Sequence, residues 1–392
     1  MDKPAIEGGK PVRKDYIGYG SQSINEEDKE AVKESLEGDY ITRGPSVEEF
    51  EERVANFVGV DNAVAITSGT TALHLAGKAL GFSEGDEVIT TPLTFASTAY
   101  SATYSGAEPV FADIKPDTRN IDPEKIEEKI TEDTKAIVPM HYAGQPAEIE
   151  KILEIAEEHD LKVLWDACHA FGSKYEGEVI ASERDAAIFS FHPVKNITTA
   201  EGGIVVTDDD ELAERMRSLR SFTMNSEAEG HEDEPWYQVV EEEGYNYNFT
   251  DIQASLGLSQ LERAEEFKER REEIFEKYSE ALKDVEGVRP PEVKENVDPF
   301  WHIYTVKITD DFPVSRKKFF NAMQEENIGV QVHYVPLHYH PFFQENYGCE
   351  KGEFPETEEV YSQIVTLPMY PDMSDSDVED VIKAVRKISN YY

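Results

Sequence analysis

The segment "AAIFSFHPVKNITTAEGG", residues Ala186–Gly203, has the pattern of a buried strand, a polar connection and a glycine pair that begins another strand. Its first fifteen residues contain no Asp or Glu, although the chain holds 81 acidic residues among 392. Lys195 is the only Lys or Arg in that stretch. A nearby carboxylate would favour the protonated, non-nucleophilic amine, so this composition makes Lys195 a candidate nucleophile.

Strand and helix patterns alternate on both sides of this segment, from about Asn62 to Asp208. Such alternation predicts a mostly parallel sheet covered by helices on both faces. The predicted strands are 63–67, 86–92, 108–114, 135–140, 161–166, 186–191 and 202–208, and the predicted helices are 70–81, 96–106, 122–131 and 146–160.

The pattern changes after Thr250, where residues 251–285 have the spacing of one long charged helix. A smaller α+β region follows, with predicted strands at 302–308 and 329–336 and predicted helices at 315–327 and 374–392. We therefore predict an α/β fold with two domains. The large domain, with an N-terminal arm, covers 1–255, and the long helix with the small C-terminal domain covers 256–392.

The net charge of −43 excludes several classes of partner. Nucleic acids and anionic membrane surfaces bind clustered Lys and Arg, which this chain lacks. The acidic residues are spread along the whole sequence, a pattern that suits a protein kept soluble in concentrated salt. We interpret it as halophilic adaptation, and an ordinary acidic cytosolic protein is the alternative.

The location expected from the sequence is the cytoplasm. Cys168 and Cys349 are the only cysteines, so no disulfide framework is predicted. Residues 1–20 lack the apolar core of a signal peptide, and no stretch approaches the roughly 20 apolar residues of a membrane span.

Acid-free windows mark where a site is expected. Burial accounts for part of each window, but Ser, Thr, His, Asn, Gln and Tyr are frequent in them. A site for an anionic ligand would also exclude carboxylates. The windows are 63–83, 88–107, 135–147, 186–200 and 327–344.

Four features fall at the carboxyl ends of predicted strands, where open α/β sheets bind ligands. Asp166 ends one strand, Lys195 follows another, and Phe95 follows a third. The turn 68–70, Ser-Gly-Thr, joins a strand to a helix and directs backbone N–H groups and the positive end of the helix at one point.

Pyridoxal 5'-phosphate (PLP) requires these four features. Its phosphate needs an anion cradle, its ring an aromatic face, its pyridine nitrogen a carboxylate and its aldehyde a lysine amine. The chain has no Walker loop, and no G-x-G-x-x-G follows a strand, so kinase and dehydrogenase functions lack their main signal.

Longer motifs resemble the PLP-dependent nucleotide-sugar aminotransferases of the DegT/StrS type. They are "DACHAFGSKYEG", "FSFHPVKNITTAEGGIVVTDD", "GYNYNFTDIQASLGLSQL", "HYAGQPAEIEKI" and "QVHYVPLHYHPFF", and the similarity covers nearly the whole chain. It implies the type I fold of PLP-dependent aminotransferases and a homodimer with shared active sites. The most similar subgroup acts at C4 of UDP-4-keto-6-deoxy sugars, as does the UDP-altrosamine transaminase of the pseudaminic-acid pathway.

The resemblance also implies residue roles. As catalytic residues, Lys195 binds the cofactor aldehyde and moves the proton to and from sugar C4, Asp166 pairs with the pyridinium, and His169 lies near the ring hydroxyl. Phe95 stacks on the ring, and Asn248 reaches the phosphate bound by the neighbouring subunit. The other implied contacts are Ser68, Gly69, Thr70 and Ser190 with the phosphate, and Gly44, His333, Tyr334 and His338 with the sugar nucleotide.

The implied reaction is ping-pong transfer of an amino group from glutamate to C4 of a UDP-linked 4-keto-6-deoxy N-acetylhexosamine, for surface-glycan sugars. Some relatives carry His in place of the lysine and are dehydratases, whereas this chain keeps Lys195.

Several alternatives stay open. The substrate could be a GDP- or dTDP-linked 3- or 4-keto sugar, or the chain could be a non-catalytic sugar-nucleotide scaffold. A desulfurase or an amino-acid aminotransferase would share the fold, although no Arg for a second substrate carboxylate is identified. A metal site could use His333, His338 and His340, although their spacing matches no compact zinc motif, or Asp166, Cys168 and His169, although neighbouring side chains at a strand end diverge, and we predict no metal.

Overall fold

A computed structural model describes residues 2–181, 183–225, 234, 236–240 and 242–392. Its helices are α1 Glu26–Glu37, α2 Pro45–Val58, α3 Gly69–Ala79, α4 Ala96–Thr103, α5 Pro123–Glu127, α6 Ile149–Glu158, α7 Asp210–Arg220, α8 Asp251–Glu262, α9 Ala264–Leu282, α10 Arg316–Glu325, α11 Pro341–Tyr347, α12 Pro355–Gln363 and α13 Asp375–Tyr391. Its strands are β1 Asn62–Ile66, β2 Glu87–Thr90, β3 Glu108–Phe111, β4 Thr134–Val138, β5 Lys162–Asp166, β6 Lys174–Tyr175, β7 Glu178–Val179, β8 Ala186–Ser190, β9 Gly203–Thr207, β10 Met224–Asn225, β11 Val239–Val240, β12 Val288–Arg289, β13 Val297–Asp298, β14 Tyr304–Ile308 and β15 Ile364–Leu367.

The main sheet has the strand order β1-β9-β8-β5-β4-β2-β3 in the described part of the chain. The pairs β2–β3, β2–β4, β4–β5 and β5–β8 are parallel, and β9 is antiparallel to both of its neighbours. The prediction of a mostly parallel sheet is confirmed.

Both faces of this sheet are buried under helices, as the apolar runs of the strands require. In β5, Val163 and Trp165 join a core cluster with residues of α2, α6 and α8, while Leu164 joins a second cluster with residues of α3 and α7. Burying each such side chain contributes about 1.5–3 kcal/mol, which holds the strand ends in fixed positions.

The C-terminal part forms a second layer, in which the antiparallel sheet β12-β14-β15 packs with α9, α10 and α13. Its core includes Tyr304, Phe319 and Val381, all fully buried. Ile17 from the N-terminal arm also belongs to this core and pairs with Ile328. The predicted domain boundary at residue 255 stays a prediction.

The long helix predicted over 251–285 is wrong in one respect, because it breaks at Arg263, which separates α8 from α9. No Gly or Pro marks the break. The Arg263 side chain instead donates to Asp28 and Ser23, at 3.3 and 3.4 Å, and its guanidinium lies 4.6 Å from the centre of the Phe267 ring.

The strand predicted over 329–336 is also wrong. Gln331 alone pairs with β15, through Thr366, and the backbone then turns towards the main sheet. The His333 carbonyl accepts a hydrogen bond from the Tyr142 hydroxyl, and its ring bonds to Thr366. Side-chain contacts therefore take the place of a strand ladder in this segment. No helix among the described residues is long and apolar enough to cross a bilayer.

Candidate active site

The glycine pair that follows Lys195 lets three segments meet at one sheet edge. Gly203 begins β9 and pairs with both Ile66 and Ser190. A Cβ on Gly203 would lie 2.5 Å from the Ser68 carbonyl carbon and 2.6 Å from the Gly69 nitrogen, so only glycine fits. The carboxyl ends of β1 and β8 are thereby held against the N-terminus of α3.

This N-terminus forms an anion cradle. The Ser68 side chain caps α3 by accepting from the Thr71 amide, and the Ala72 amide bonds to the Ser68 carbonyl. The amides of Gly69 and Thr70 are the remaining donors of the first turn, and they add to the positive end of the helix dipole. A Cβ on Gly69 would lie 3.0 Å from the Ser190 Cβ, so the cradle is open only with glycine there.

Asp166 is fixed at the end of β5 by hydrogen bonds to both carboxylate oxygens. The Thr98 hydroxyl donates to Oδ2 at 2.6 Å, and the Cys168 amide donates to Oδ1 at 3.1 Å. Asp166 as a whole is 3% exposed. It can therefore present one fixed acceptor to a protonated ring nitrogen.

Lys195 is partly buried, and its removal from water lowers the pKa of its amine below the ordinary value, an effect that Asp166 opposes. The amine is thus more nucleophilic at neutral pH than a surface lysine. Burial raises the pKa of the Cys168 thiol well above its ordinary value, so Cys168 stays a neutral neighbour.

Phe95 is 58% exposed although it lies at the N-terminus of α4, beside the cradle. An aromatic ring this exposed at the rim of a cavity can cover a flat ligand. We call Ser68, Phe95, Asp166 and Lys195 the cofactor edge.

A second group of side chains faces the cofactor edge, and we call His169, His302, His333 and Tyr334 the histidine wall. Together the edge and the wall line a cavity of about 260 Å³. The His169 and His302 ring centres are 4.4 Å apart, and the Tyr334 ring centre is 5.9 Å from that of Phe95.

The histidines of this wall are neutral near pH 7. Burial lowers the pKa of His333 to about 4 and those of His169 and His302 well below the ordinary value, with Lys195 adding to each shift. The Ala143 amide donates to Nδ1 of His169 at 3.3 Å, so the ring proton is on Nε2. Nε2 then donates to the Tyr334 hydroxyl oxygen at 2.8 Å, which leaves the hydroxyl proton available to a ligand.

Most of the predicted site residues lie together. Both nitrogens of His169 have protein partners, so its contact with the cofactor hydroxyl stays a prediction. The predicted residues that line the cavity are Ser68, Gly69, Thr70, Phe95, Asp166, His169, Ser190, Lys195, His333 and Tyr334.

Three predicted residues lie outside the cavity. Gly44 and Asn248 line a separate groove of about 920 Å³, where Asn248 accepts from the Ser221 hydroxyl at 2.6 Å. His338 is fully buried, with Nε2 3.1 Å from the Glu358 carboxylate. The roles proposed for these three stay predictions.

Sequence reasoning missed several residues of the site, among them His192 and Glu201, which line the cavity. Thr98 bonds to Asp166, and Ser97 meets Thr70 at 2.6 Å between hydroxyl oxygens. Ser97 and Thr98 lie two and three residues after Phe95, within the acid-free window 88–107. Their position in that window was the sequence signal that could have identified them. Tyr19 and His302 also line the cavity, but they come from distant segments with no local pattern.

The histidines of the metal hypothesis have separate partners. His333 Nδ1 is 2.8 Å from the Thr366 hydroxyl, His338 bonds to Glu358, and His340 is exposed. In the described ranges, three side chains close enough to share an ion are found at Glu127, Glu158 and His159, all exposed and away from the cavity.

The residues of the cofactor edge fit PLP. The cradle at Gly69 and Thr70 matches a phosphate, the exposed Phe95 ring matches the face of a pyridine, and the fixed Asp166 carboxylate matches its nitrogen. Lys195 supplies the amine. A fold with a mostly parallel sheet and this site defines a PLP-dependent aminotransferase.

Comparison with known proteins agrees. The DegT/DnrJ/EryC1/StrS aminotransferase family matches residues 22–386, and the chain belongs to this family. The spore coat polysaccharide biosynthesis protein SpsC of Bacillus subtilis is 43% identical over 380 residues, which cover 96% of this chain and 98% of that protein.

Solved structures give the same result. PseC of Helicobacter pylori, an aminotransferase of pseudaminic acid biosynthesis, is similar with a TM-score of 0.90 and 34% identity, over 97% of this chain and 100% of that one. Spr1654 of Streptococcus pneumoniae in its PLP form has a TM-score of 0.89 and 28% identity, over 96% and 99% of the two chains. The protein is a PLP-dependent sugar aminotransferase of polysaccharide or sugar biosynthesis.

Proposed function

We propose that this enzyme transfers an amino group from glutamate to C4 of a UDP-linked 4-keto-6-deoxy N-acetylhexosamine, which is then used for surface glycans. The observation that carries the proposal is the neutral histidine wall opposite Lys195. The name of PseC, an aminotransferase of pseudaminic acid biosynthesis, and the "QVHYVPLHYHPFF" motif favour this substrate.

The wall suits a sugar. Its neutral imidazoles and the free Tyr334 proton can donate to or accept from hydroxyl groups without requiring a charge on the ligand. Lys195 is the only Lys or Arg that lines the cavity in the described part of the chain. A dedicated amino-acid aminotransferase usually carries an Arg for the second substrate carboxylate, so this lining favours a sugar as the acceptor and leaves the carboxylates of glutamate to be held by residues outside it.

The residues of the cofactor edge divide the tasks of the mechanism. When bound, PLP supplies the electron sink that stabilises negative charge at the carbon losing its proton. The Gly69 and Thr70 amides would hold its phosphate, Phe95 would cover its ring, and Asp166 would keep its ring nitrogen protonated. Lys195, whose pKa is lowered, would supply the amine that holds the aldehyde and would carry the proton to and from the substrate carbon.

A half-reaction tests the substrate. The protein is loaded with PLP and treated with glutamate until the visible absorption of the lysine-bound cofactor disappears, and the glutamate is removed. UDP-, dTDP- and GDP-linked 4-keto-6-deoxy sugars and a 3-keto sugar are then added singly. We expect absorption to return with the UDP-linked 4-keto N-acetylhexosamine. Return with a dTDP or GDP sugar alone would replace the proposed substrate, and absence of any response to glutamate would refute the proposed donor.

We also propose that two chains form a homodimer with shared sites. In support, Gly44 and Asn248 line a groove that shares no lining residue with the Lys195 cavity of the same chain. If Asn248 serves the partner's cavity, Lys195→Ala and Asn248→Asp chains that are inactive alone should complement when mixed. Half of the dimers would be mixed, each with one intact site, so about a quarter of wild-type activity should return. No recovery would contradict the sharing of sites.

Halophilic adaptation and a cytoplasmic location complete the proposal. The charge of −43 supports the first, and two free cysteines support the second. Salt screens the repulsion between the acidic side chains. The unfolding temperature should therefore rise as KCl is increased from about 0.1 M to several molar. An unfolding temperature independent of salt would contradict the adaptation.

A further inference from the structure

Arg271 is a buried cation without a carboxylate partner in the described structure. It lies on α9, is 1% exposed, and burial lowers its pKa to about 10, so it stays charged at neutral pH. A guanidinium removed from water is costly unless its N–H groups are bonded. Its hydrogen-bond partners are backbone carbonyls, and the segments that carry these carbonyls indicate what the residue does.

The carbonyls belong to three segments that meet beside the cavity. One terminal nitrogen donates to the His302 carbonyl at 2.9 Å and to the Met369 carbonyl at 3.0 Å. The other donates to the Lys195 carbonyl at 3.5 Å. A single guanidinium thus joins the backbone of the reactive lysine to that of a histidine-wall residue and to the chain after β15.

Two further contacts tie the same segments together. The Asn196 side chain donates to the Phe300 carbonyl at 2.8 Å. Asn196 directly follows Lys195, and Phe300 lies two residues before His302. Phe275, one turn after Arg271, stacks on Trp301 with ring centres 4.1 Å apart. The segment 300–302 is therefore held against both α9 and the Lys195 connection.

We propose that Arg271 is a positioning residue that fixes the Lys195 backbone relative to His302, so that the amine and the histidine wall keep a constant separation. Arg271 does not itself line the cavity. The planar fork of an arginine places two nitrogens on separate carbonyls in a fixed geometry, whereas a lysine offers a single nitrogen. The inference rests on the aminotransferase chemistry of Lys195 and not on the identity of the sugar.

Arg119 provides a matched control. It is also buried, 3% exposed, and without a carboxylate partner in the described structure, and it donates to the hydroxyl and carbonyl of Thr305 at 2.8 and 3.3 Å. It does not line the cavity. Arg119→Lys and Arg271→Lys both replace a buried fork by an ammonium, so the general cost to folding is similar for the two variants.

The experiment compares three readouts in the PLP-loaded wild type and both variants. They are the unfolding temperature, the pH midpoint of the visible cofactor absorption, and the rate constant of the glutamate half-reaction at saturation. We expect both variants to unfold at lower temperatures. Only Arg271→Lys should shift the midpoint, by about half a pH unit or more, and lower the saturating rate at least about tenfold, because small displacements of reacting groups cost that much. The dissociation constant for glutamate should change less than the rate.

Equal midpoints and equal rates in the two variants would reduce Arg271 to a structural residue and overturn the proposal. If Arg271→Lys does not fold, Asn196→Ser takes its place, because it removes the hydrogen bond between Asn196 and Phe300 that joins the same segments. An unchanged midpoint in that variant would also overturn the proposal. The absorption titration needs no substrate. If the proposed donor or sugar is wrong, the absorption titration therefore still tests the role of Arg271.

Discussion

The cofactor edge and the histidine wall face each other across one cavity, but their positions have different origins. Ser68 and Lys195 lie after the ends of strands and Asp166 ends a strand, so the sheet brings all three to one edge. His302 and His333 come from segments before β14 and before α11 that lie far from the edge in sequence. Elements of regular structure bring the edge together and hydrogen bonds then fix its side chains, whereas individual hydrogen bonds bring the wall together.

This difference predicts a division of labour. The edge contains the groups that any PLP-dependent aminotransferase needs, so changes there should abolish chemistry whichever substrate is used. The wall contains neutral hydrogen-bonding groups, so changes there should alter the sugar half-reaction more than the glutamate half-reaction. The variants below test that division, in order of decreasing effect.

Lys195→Ala should have the largest effect. Loss of the amine removes both the covalent link to the cofactor and the proton carrier, so both half-reactions should slow by at least about 10³-fold. Lys162→Ala is the control, because Lys162 begins the neighbouring strand at the opposite edge and pairs with Asp185 at 3.0 Å. Stopped-flow absorbance gives both rates, and normal turnover by Lys195→Ala would remove this residue from the mechanism.

Asp166→Asn should come next. An amide can keep the contacts with Thr98 and the Cys168 amide, so the fold is retained while the negative charge is lost. Both half-reactions should slow by at least about a hundredfold, the scale for removing one preorganised electrostatic partner. Asp160→Asn, at an exposed position after α6, is the control. Equal rates for the two variants would mean that Asp166 is not the partner of the ring nitrogen.

Tyr334→Phe separates the wall from the edge. It deletes the hydroxyl that accepts from His169 and whose own proton is available to a ligand. Loss of one such hydrogen bond should slow the sugar half-reaction up to about tenfold and leave the glutamate half-reaction within about twofold. Tyr104→Phe, at an exposed tyrosine, is the control. A larger effect with glutamate than with the sugar would reverse the division.

His141→Gln should have the smallest effect on catalysis, and its effect is measured on the free energy of unfolding. Burial lowers the pKa of His141 from 6.5 to about 3, while its ring stacks on Trp165 and accepts from the Ala147 amide. Between those pH values the unfolded chain binds more protons, so wild-type stability falls as the pH falls. Glutamine can accept the same bond without titrating.

The wild type should therefore lose about 3 kcal/mol relative to His141→Gln between pH 7 and pH 4, because about 2.5 pKa units separate the unfolded value from pH 4. Urea unfolding of both proteins at the two pH values, at constant salt, measures this difference. A difference that does not change with pH would mean that His141 is not held neutral by burial.

The same contrast explains what the sequence could predict. The edge was predicted because strand, turn and helix are local patterns, and each ends at a defined residue such as Asp166 or Ser68. The break at Arg263 and the loss of the strand over 329–336 depend on distant partners, Asp28 for the first and Tyr142 and Thr366 for the second. The membership of His302 in the site likewise depends on Ala143 and Arg271, which no local spacing connects to it.

The central claim is amino transfer from glutamate to sugar C4, and the most direct measurement follows the nitrogen itself. The enzyme is incubated with ¹⁵N-labelled glutamate and the UDP-linked 4-keto-6-deoxy N-acetylhexosamine, and the product is examined by ¹H–¹⁵N NMR. We expect one labelled amine per sugar, coupled to the proton on C4. Label at C3, or an unlabelled sugar beside unconsumed glutamate, would contradict the proposed function.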